Sequence, residues 1–176
     1  DDLGDADWET DFELTIPEDL RSGVYAARVT SVADEDRIPF FVRPKKGTAT
    51  ADLLFLAPTL TYLAYANGAS LSVARQRGAG RLFEPKITSA MDRYVGDHQL
   101  RSLYDRHLDG TGVYYASWLR PMTVRPDYCN QYRGYVHGLG ADLNLLDWLE
   151  VKGFAYDLIT DHDLHEGGID WLAQYS

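Results

Sequence analysis

An aliphatic run that halts at a proline constrains the fold of this chain more than any other feature. Asp52–Ala57, built on the apolar run Leu53-Leu-Phe-Leu56, has the length and side chains of a buried strand, and Pro58 ends it because proline brings no N–H to a ladder. The segment from Leu60 to Ala66 then reads as a short helical turn. It sets Thr61, Tyr62 and Tyr65 just past the carboxyl end of the strand, where open α/β sheets bind their ligands. A tyrosine in that place is either core filler or a hard oxygen donor, and the sequence leaves both open.

A second strand of the same kind lies about a hundred residues on. Asp142-Leu-Asn-Leu-Leu-Asp-Trp-Leu-Glu-Val-Lys152 is the clearest helix, with Leu143, Leu146, Trp148 and Leu149 as its apolar stripe and Gly153 as its stop. Phe154-Ala-Tyr-Asp-Leu-Ile-Thr160 follows as a strand. Strand, excursion, helix, strand is a βαβ unit, which calls for a parallel sheet. The excursion, residues 67–103, is glycine-punctuated and weakly periodic, and Met91–Arg106 is expected to close it with a helix.

The first 45 residues differ in kind. Phe12-Glu-Leu-Thr-Ile16 alternates, Gly23–Val32 is β-branched and alternating, and Ile38–Arg43 makes a third strand after the polar turn Ala33–Arg37. The phrase from Pro17 to Tyr25, with its tight Ser-Gly turn, reads as the end of an immunoglobulin-like sandwich whose other strands precede this chain. A free-standing three-stranded meander is the alternative. The fold class expected is therefore α/β. Residues 46–176 form the first part of a Rossmann-like domain, and residues 1–45 are the last strands of an immunoglobulin-like β-sandwich.

Composition excludes several functions. A net charge of −10 disfavours nucleic acid and anionic membranes as partners, and no apolar run is long enough to span a bilayer. Cytoplasmic location is the default. The single cysteine, Cys129, permits neither a disulfide framework nor a thiolate cage and reads as a small core hydrophobe rather than a nucleophile. There is no G-x-G-x-x-G after a strand, no phosphate-binding loop and no G-x-S-x-G elbow.

Two groups of residues carry candidate chemistry. Asp161, His162, Asp163, His165 and Glu166 gather at the carboxyl end of the second strand, as an acid–base or metal site or as turn and cap residues. The other group is the tyrosines, twelve in all. A phenol titrates near ~10, so it binds as tyrosinate only to a strongly Lewis-acidic ion, in practice ferric iron.

Four stretches in order resemble the large (β) subunit of the N,N-dimethylformamidase family: Leu56–Asn67, Ser102–Tyr115, Leu146–Gly153 and Tyr156–His165. The resemblance covers essentially the whole chain. It implies a middle segment of that subunit, with the βαβ portion related to the class I glutamine-amidotransferase fold. It further implies an iron-dependent amidohydrolase acting on N,N-dimethylformamide or a similar small amide, with one mononuclear non-haem Fe(III) held by two tyrosines and a glutamate. Tyr62 and Tyr104 are the expected metal ligands, with Tyr65 the alternative to Tyr62 and Tyr115 the alternative to Tyr104. The glutamate is expected in a His-Pro-Glu motif beyond residue 176, so the isolated segment is not expected to catalyse. His165 or Asp163 is the expected catalytic acid. The implied partners are the small (α) subunit and the rest of the large subunit in a hetero-oligomer. A non-catalytic binding module of a related protein is the competing expectation.

Overall fold

The computed structural model describes residues 4–68, 90–107, 109–130 and 135–175. In chain order the elements are β1 (Gly23–Thr30), β2 (Glu35–Val42), β3 (Leu53–Ala57), α1 (Thr59–Tyr65), α2 (Ala90–Asp97), β4 (Cys129–Asn130), β5 (Tyr135–Val136), α3 (Leu139–Val151), β6 (Tyr156–Thr160) and α4 (Asp161–Gly167). Two 3-10 turns, Ile169–Trp171 and Ala173–Tyr175, follow. Among the described residues no helix is long and apolar enough to cross a membrane.

Contacts divide the chain into two compact units: the described residues of Asp11–Leu60 with Asp142–Ser176, and those of Asp1–Thr10 with Thr61–Ala141. The first unit contains the expected parallel pair. Strands β3 and β6 run side by side with Leu53 opposite Tyr156 and Ala57 opposite Thr160, so their carboxyl ends are level. Ala57, Leu146 and Leu158 form the buried centre, with Val24, Phe41, Phe55, Leu143, Leu149 and Tyr156 packed around it. Each fully buried leucine there contributes roughly 2 kcal/mol. The stripe Leu143, Leu146 and Leu149 is thus the inward face of α3, while Trp148 points outward and stacks on Phe154 at 5.9 Å. A Schellman motif ends α3: Gly153 takes φ 77°, its N–H donates to Glu150 O (3.0 Å), and Phe154 N donates to Leu149 O (2.9 Å).

The antiparallel hairpin β1–β2 belongs to this same unit, where contacts join it to β6. Ser22 makes one junction, receiving Leu158 N (2.7 Å) and donating to Val42 O (3.0 Å). A second is Asp157, wholly buried, which accepts from Thr50 N (2.6 Å), Thr50 Oγ1, Ala51 N (3.1 Å) and Tyr175 OH (2.9 Å).

Four local expectations are corrected. Phe12–Ile16 is not a strand; it has no ladder partner among the described residues, and Phe12, Leu14 and Ile16 are exposed. Alternation sets a strand's faces but cannot supply the neighbouring edge. Strand β2 begins at Glu35, inside the expected turn, because Glu35 pairs with Arg28 (2.5 Å) and Arg37 (2.6 Å) and draws the charged residues into the ladder. Helix α3 starts three residues before Asp142, and the helix expected over Met91–Arg106 stops at Asp97. Residues 69–89 of the long excursion lie outside the described residues.

Candidate functional site

Helix α1 is only seven residues long, too short to persist without outside support. The amide of its second residue, Leu60 N, donates to both oxygens of Asp161 (2.9 and 3.2 Å), and Thr59 Oγ1 donates to Asp161 Oδ1 (2.5 Å) and contacts His162 Nδ1 (2.6 Å). Its far end is fixed by Asn67, which adopts a left-handed φ of 60° that asparagine tolerates better than most residues. The buried Asn67 side chain accepts from Thr123 N (3.0 Å) and donates to Pro121 O (3.0 Å), while its N–H donates to Thr123 Oγ1 (2.9 Å). Tyr62 and Tyr65, three positions apart, therefore share one face of a short helix pinned at both ends.

The motif Ser102-Leu-Tyr-Asp105 is a self-closed turn. Asp105 Oδ2 accepts from Ser102 N (3.0 Å), Asp105 N donates to Ser102 O (3.1 Å), and Ser102 Oγ accepts from Tyr104 N (3.1 Å). This turn is tied to α1 through Leu103 N, which donates to Ala64 O (3.3 Å). The next residue on each side is a tyrosine. Tyr65 and Tyr104 stack with ring centroids 4.4 Å apart and planes inclined by 23°. The hydrogen bond between their hydroxyls, reinforced by the cost of two neighbouring phenolates, pushes the Tyr104 pKa above the ordinary tyrosine value.

Beside this pair is a cavity of about 30 Å³, lined by Tyr62, Tyr65, Thr123, Tyr128, His137 and Leu139 among others. That is room for a water molecule or two. Tyr62 is 3% exposed, whereas Tyr104 is 62% exposed. The His137 ring meets Tyr65 edge-on at 5.1 Å. Gly138, at φ 61°, faces the Tyr62 ring, and glycine takes this left-handed backbone without the penalty that a Cβ brings. Tyr128 shares hydrogen bonds with buried Asp92 and with Thr123; burial first, then the Asp92 charge, pushes its pKa well up.

Of the expected site residues, Tyr104 is paired with Tyr65, the alternative, and Tyr62 lies one helical turn earlier in the wall of the cavity. Tyr115 is exposed at 79%. Asp163 and His165 belong to the other unit. There Asp163 completes a capping box with Thr160, accepting from Thr160 N (3.0 Å) and Oγ1 (2.7 Å), and its second oxygen faces Arg43 Nε at 3.2 Å. Asp161 caps α1, so both aspartates hold helix starts, while His165 is exposed in the last turn of α4. Cys129 is half-buried at the start of β4. Among the described residues no group of three or more His, Cys, Asp or Glu side chains is arranged to hold a metal. His137 and Tyr128 escaped the sequence reading; the signal was a histidine before a glycine just ahead of the best helix, and a tyrosine beside Cys129.

Residues 1–176 match the family described as N,N-dimethylformamidase beta subunit-like, C-terminal. The chain belongs to this N,N-dimethylformamidase beta subunit-like family. It is 44% identical over 177 residues to an N,N-dimethylformamidase beta subunit from Alcaligenes sp, covering 98% of this chain and 23% of that protein. A second such beta subunit, from Paracoccus aminophilus, is 43% identical over 178 residues, covering 99% and 23% respectively. The chain thus spans about a quarter of the length of these relatives. Two phenols in hydrogen-bond contact cannot both ionise cheaply, so at ordinary pH the pair shares its protons between the two oxygens.

Proposed function

We propose that this chain is part of an amidohydrolase β subunit that hydrolyses N,N-dimethylformamide or a similar small amide to an amine and formate. In this reading Tyr65 and Tyr104 offer their phenolate oxygens to one mononuclear non-haem Fe(III), and a carboxylate outside the 176 residues completes the set. The observation that carries the reading is the stacked, hydrogen-bonded pair Tyr65–Tyr104, tied through Leu103 N to Ala64 O. When bound, such an ion supplies Lewis acidity, polarising a carbonyl and making water more acidic.

The chain's own residues supply the surroundings. Tyr62, Tyr65 and Leu139 give the water-sized cavity beside the pair an apolar wall. Tyr104 is exposed, so its proton can leave to solvent when a cation takes its place. Water adds to the carbonyl carbon, the C–N bond breaks, and the departing amine takes up a proton. The parallel β3–β6 pair with its connecting helix supports a Rossmann-like reading of the α/β portion, and the β1–β2 hairpin is consistent with the end of an immunoglobulin-like sandwich. Since both relatives are named beta subunits, a small α subunit and a hetero-oligomer complete the proposal.

The test uses the full-length subunit assembled with its partner. Ferric tyrosinate absorbs visible light, so the protein should be coloured, contain iron and hydrolyse dimethylformamide. Tyr65→Phe and Tyr104→Phe should each remove the colour and lower activity by ~100-fold or more. A colourless, iron-free protein that still hydrolyses the amide would overturn the metal assignment; a folded protein inactive on every small amide would overturn the activity.

A further inference from the structure

Helix α3 is apolar on two sides. Its inward stripe fills the core, yet Leu145, Trp148 and Val151, spaced three apart, form a second stripe on the opposite face, and Phe154 extends it by stacking on Trp148. These four side chains are 48% to 75% exposed. A surface helix of a globular protein mostly keeps its large apolar side chains on one stripe, so a helix that carries them on both faces is one covered on both sides. Polar residues are interspersed with it: Asn144 and Lys152 share this outer face with the apolar side chains, and Asp147 borders it.

Two observations decide what covers this face. First, four side chains are far fewer than the roughly 20–30 residues a side that a stable interface between separate proteins uses. A small patch holds a partner when that partner is tethered, because a linker raises the effective concentration to the millimolar range. Second, the matched region makes up only 23% of each relative, leaving some three-quarters of such a polypeptide outside this chain. We infer that the Leu145–Trp148–Val151–Phe154 face of α3 docks against an apolar segment of the same polypeptide lying outside these 176 residues. The docked segment shields Trp148 from water and fixes the outer side of the βαβ unit in the full-length subunit.

A photo-crosslinking benzophenone side chain placed at residue 148, and separately at residue 151, of the full-length subunit in its assembled state tests this. Mass spectrometry of the cross-linked peptides, with mixed isotopically labelled and unlabelled subunits to separate links within a chain from links between chains, reads out the neighbour. The expected result at both positions is a dominant link within one chain to a peptide outside residues 1–176. In that protein Leu145→Asp should lower the yield several-fold while leaving the subunit folded by circular dichroism. A dominant link to the partner subunit, to a second copy, or to a peptide within residues 1–176, or no link above that of an exposed control position, would overturn the assignment.

Discussion

Tyr104 reaches Tyr65 because the residues just before them, Leu103 and Ala64, are joined by a backbone hydrogen bond of 3.3 Å. One turn of helix separates Tyr65 from Tyr62, and that turn distinguishes the two possible ligand pairs. If Tyr65 and Tyr104 hold the iron, Tyr62→Phe in the assembled protein keeps the visible band, whereas Tyr65→Phe loses it. Retention of colour in Tyr65→Phe with loss in Tyr62→Phe would assign the pair to Tyr62 and Tyr104.

In metal-free protein the same contact predicts a titration. The hydrogen bond to Tyr65 raises the pKa of Tyr104, so its phenolate appears at higher pH than that of an ordinary tyrosine. Replacing Tyr65 by Phe removes the acceptor and should bring the Tyr104 transition down again. Ring-labelled tyrosine NMR across the alkaline range checks both; an unmoved transition would mean that the two hydroxyls do not interact in solution.

Asp157 should be a stability residue. Two backbone amides, a threonine hydroxyl and the Tyr175 hydroxyl converge on its buried carboxylate. Asp157→Ala strands those donors and is expected to cost about 3–5 kcal/mol, with Asp157→Asn losing about 1–3 kcal/mol because one oxygen acceptor remains. Denaturant titration of the protein measures both, and a change below about 0.5 kcal/mol for the alanine variant would contradict the network.

Asn67 is expected to show a conformational and a hydrogen-bonding share separately. Asn67→Ala loses the bonds with Thr123 and Pro121 and also places alanine at φ 60°, for about 2–4 kcal/mol in total. Asn67→Gly loses the same bonds without the backbone penalty and should lie about 1 kcal/mol closer to the unaltered protein. Equal losses would show that the left-handed backbone contributes nothing.

Alkaline pH should loosen the fold. Burial and the neighbouring Glu150 push the pKa of Tyr156 up to about 12, and burial and Asp157 do the same for Tyr175. A phenol with a raised pKa holds its proton more tightly in the folded than in the unfolded chain. Its contribution is therefore complete below the ordinary value of 10.0 and is lost as pH climbs through about 12. Melting temperature should fall steeply above pH 10.0, and less steeply in Tyr156→Phe.

Much of this architecture can be read along the chain. Aliphatic runs ended by Pro58 and begun after Gly153 mark β3 and β6, and leucines at helical spacing mark α3, because these signals are local and their period is set by the backbone. The strand expected at Phe12–Ile16 failed for a complementary reason: a ladder needs a second edge, which alternation does not encode. The acidic cluster after β6 was legible as chemistry, but Asp161 and Asp163 are occupied in capping α1 and α4.

By itself the sequence determined the parallel strand pair, the helix that covers it, and two tyrosine-bearing motifs. Only the tertiary structure decided which tyrosines meet. Positions 62 and 65 lie on one helical face and are equivalent by spacing; the hydrogen bond from Leu103 to Ala64, between residues far apart in the chain, breaks that equivalence and sets Tyr104 against Tyr65.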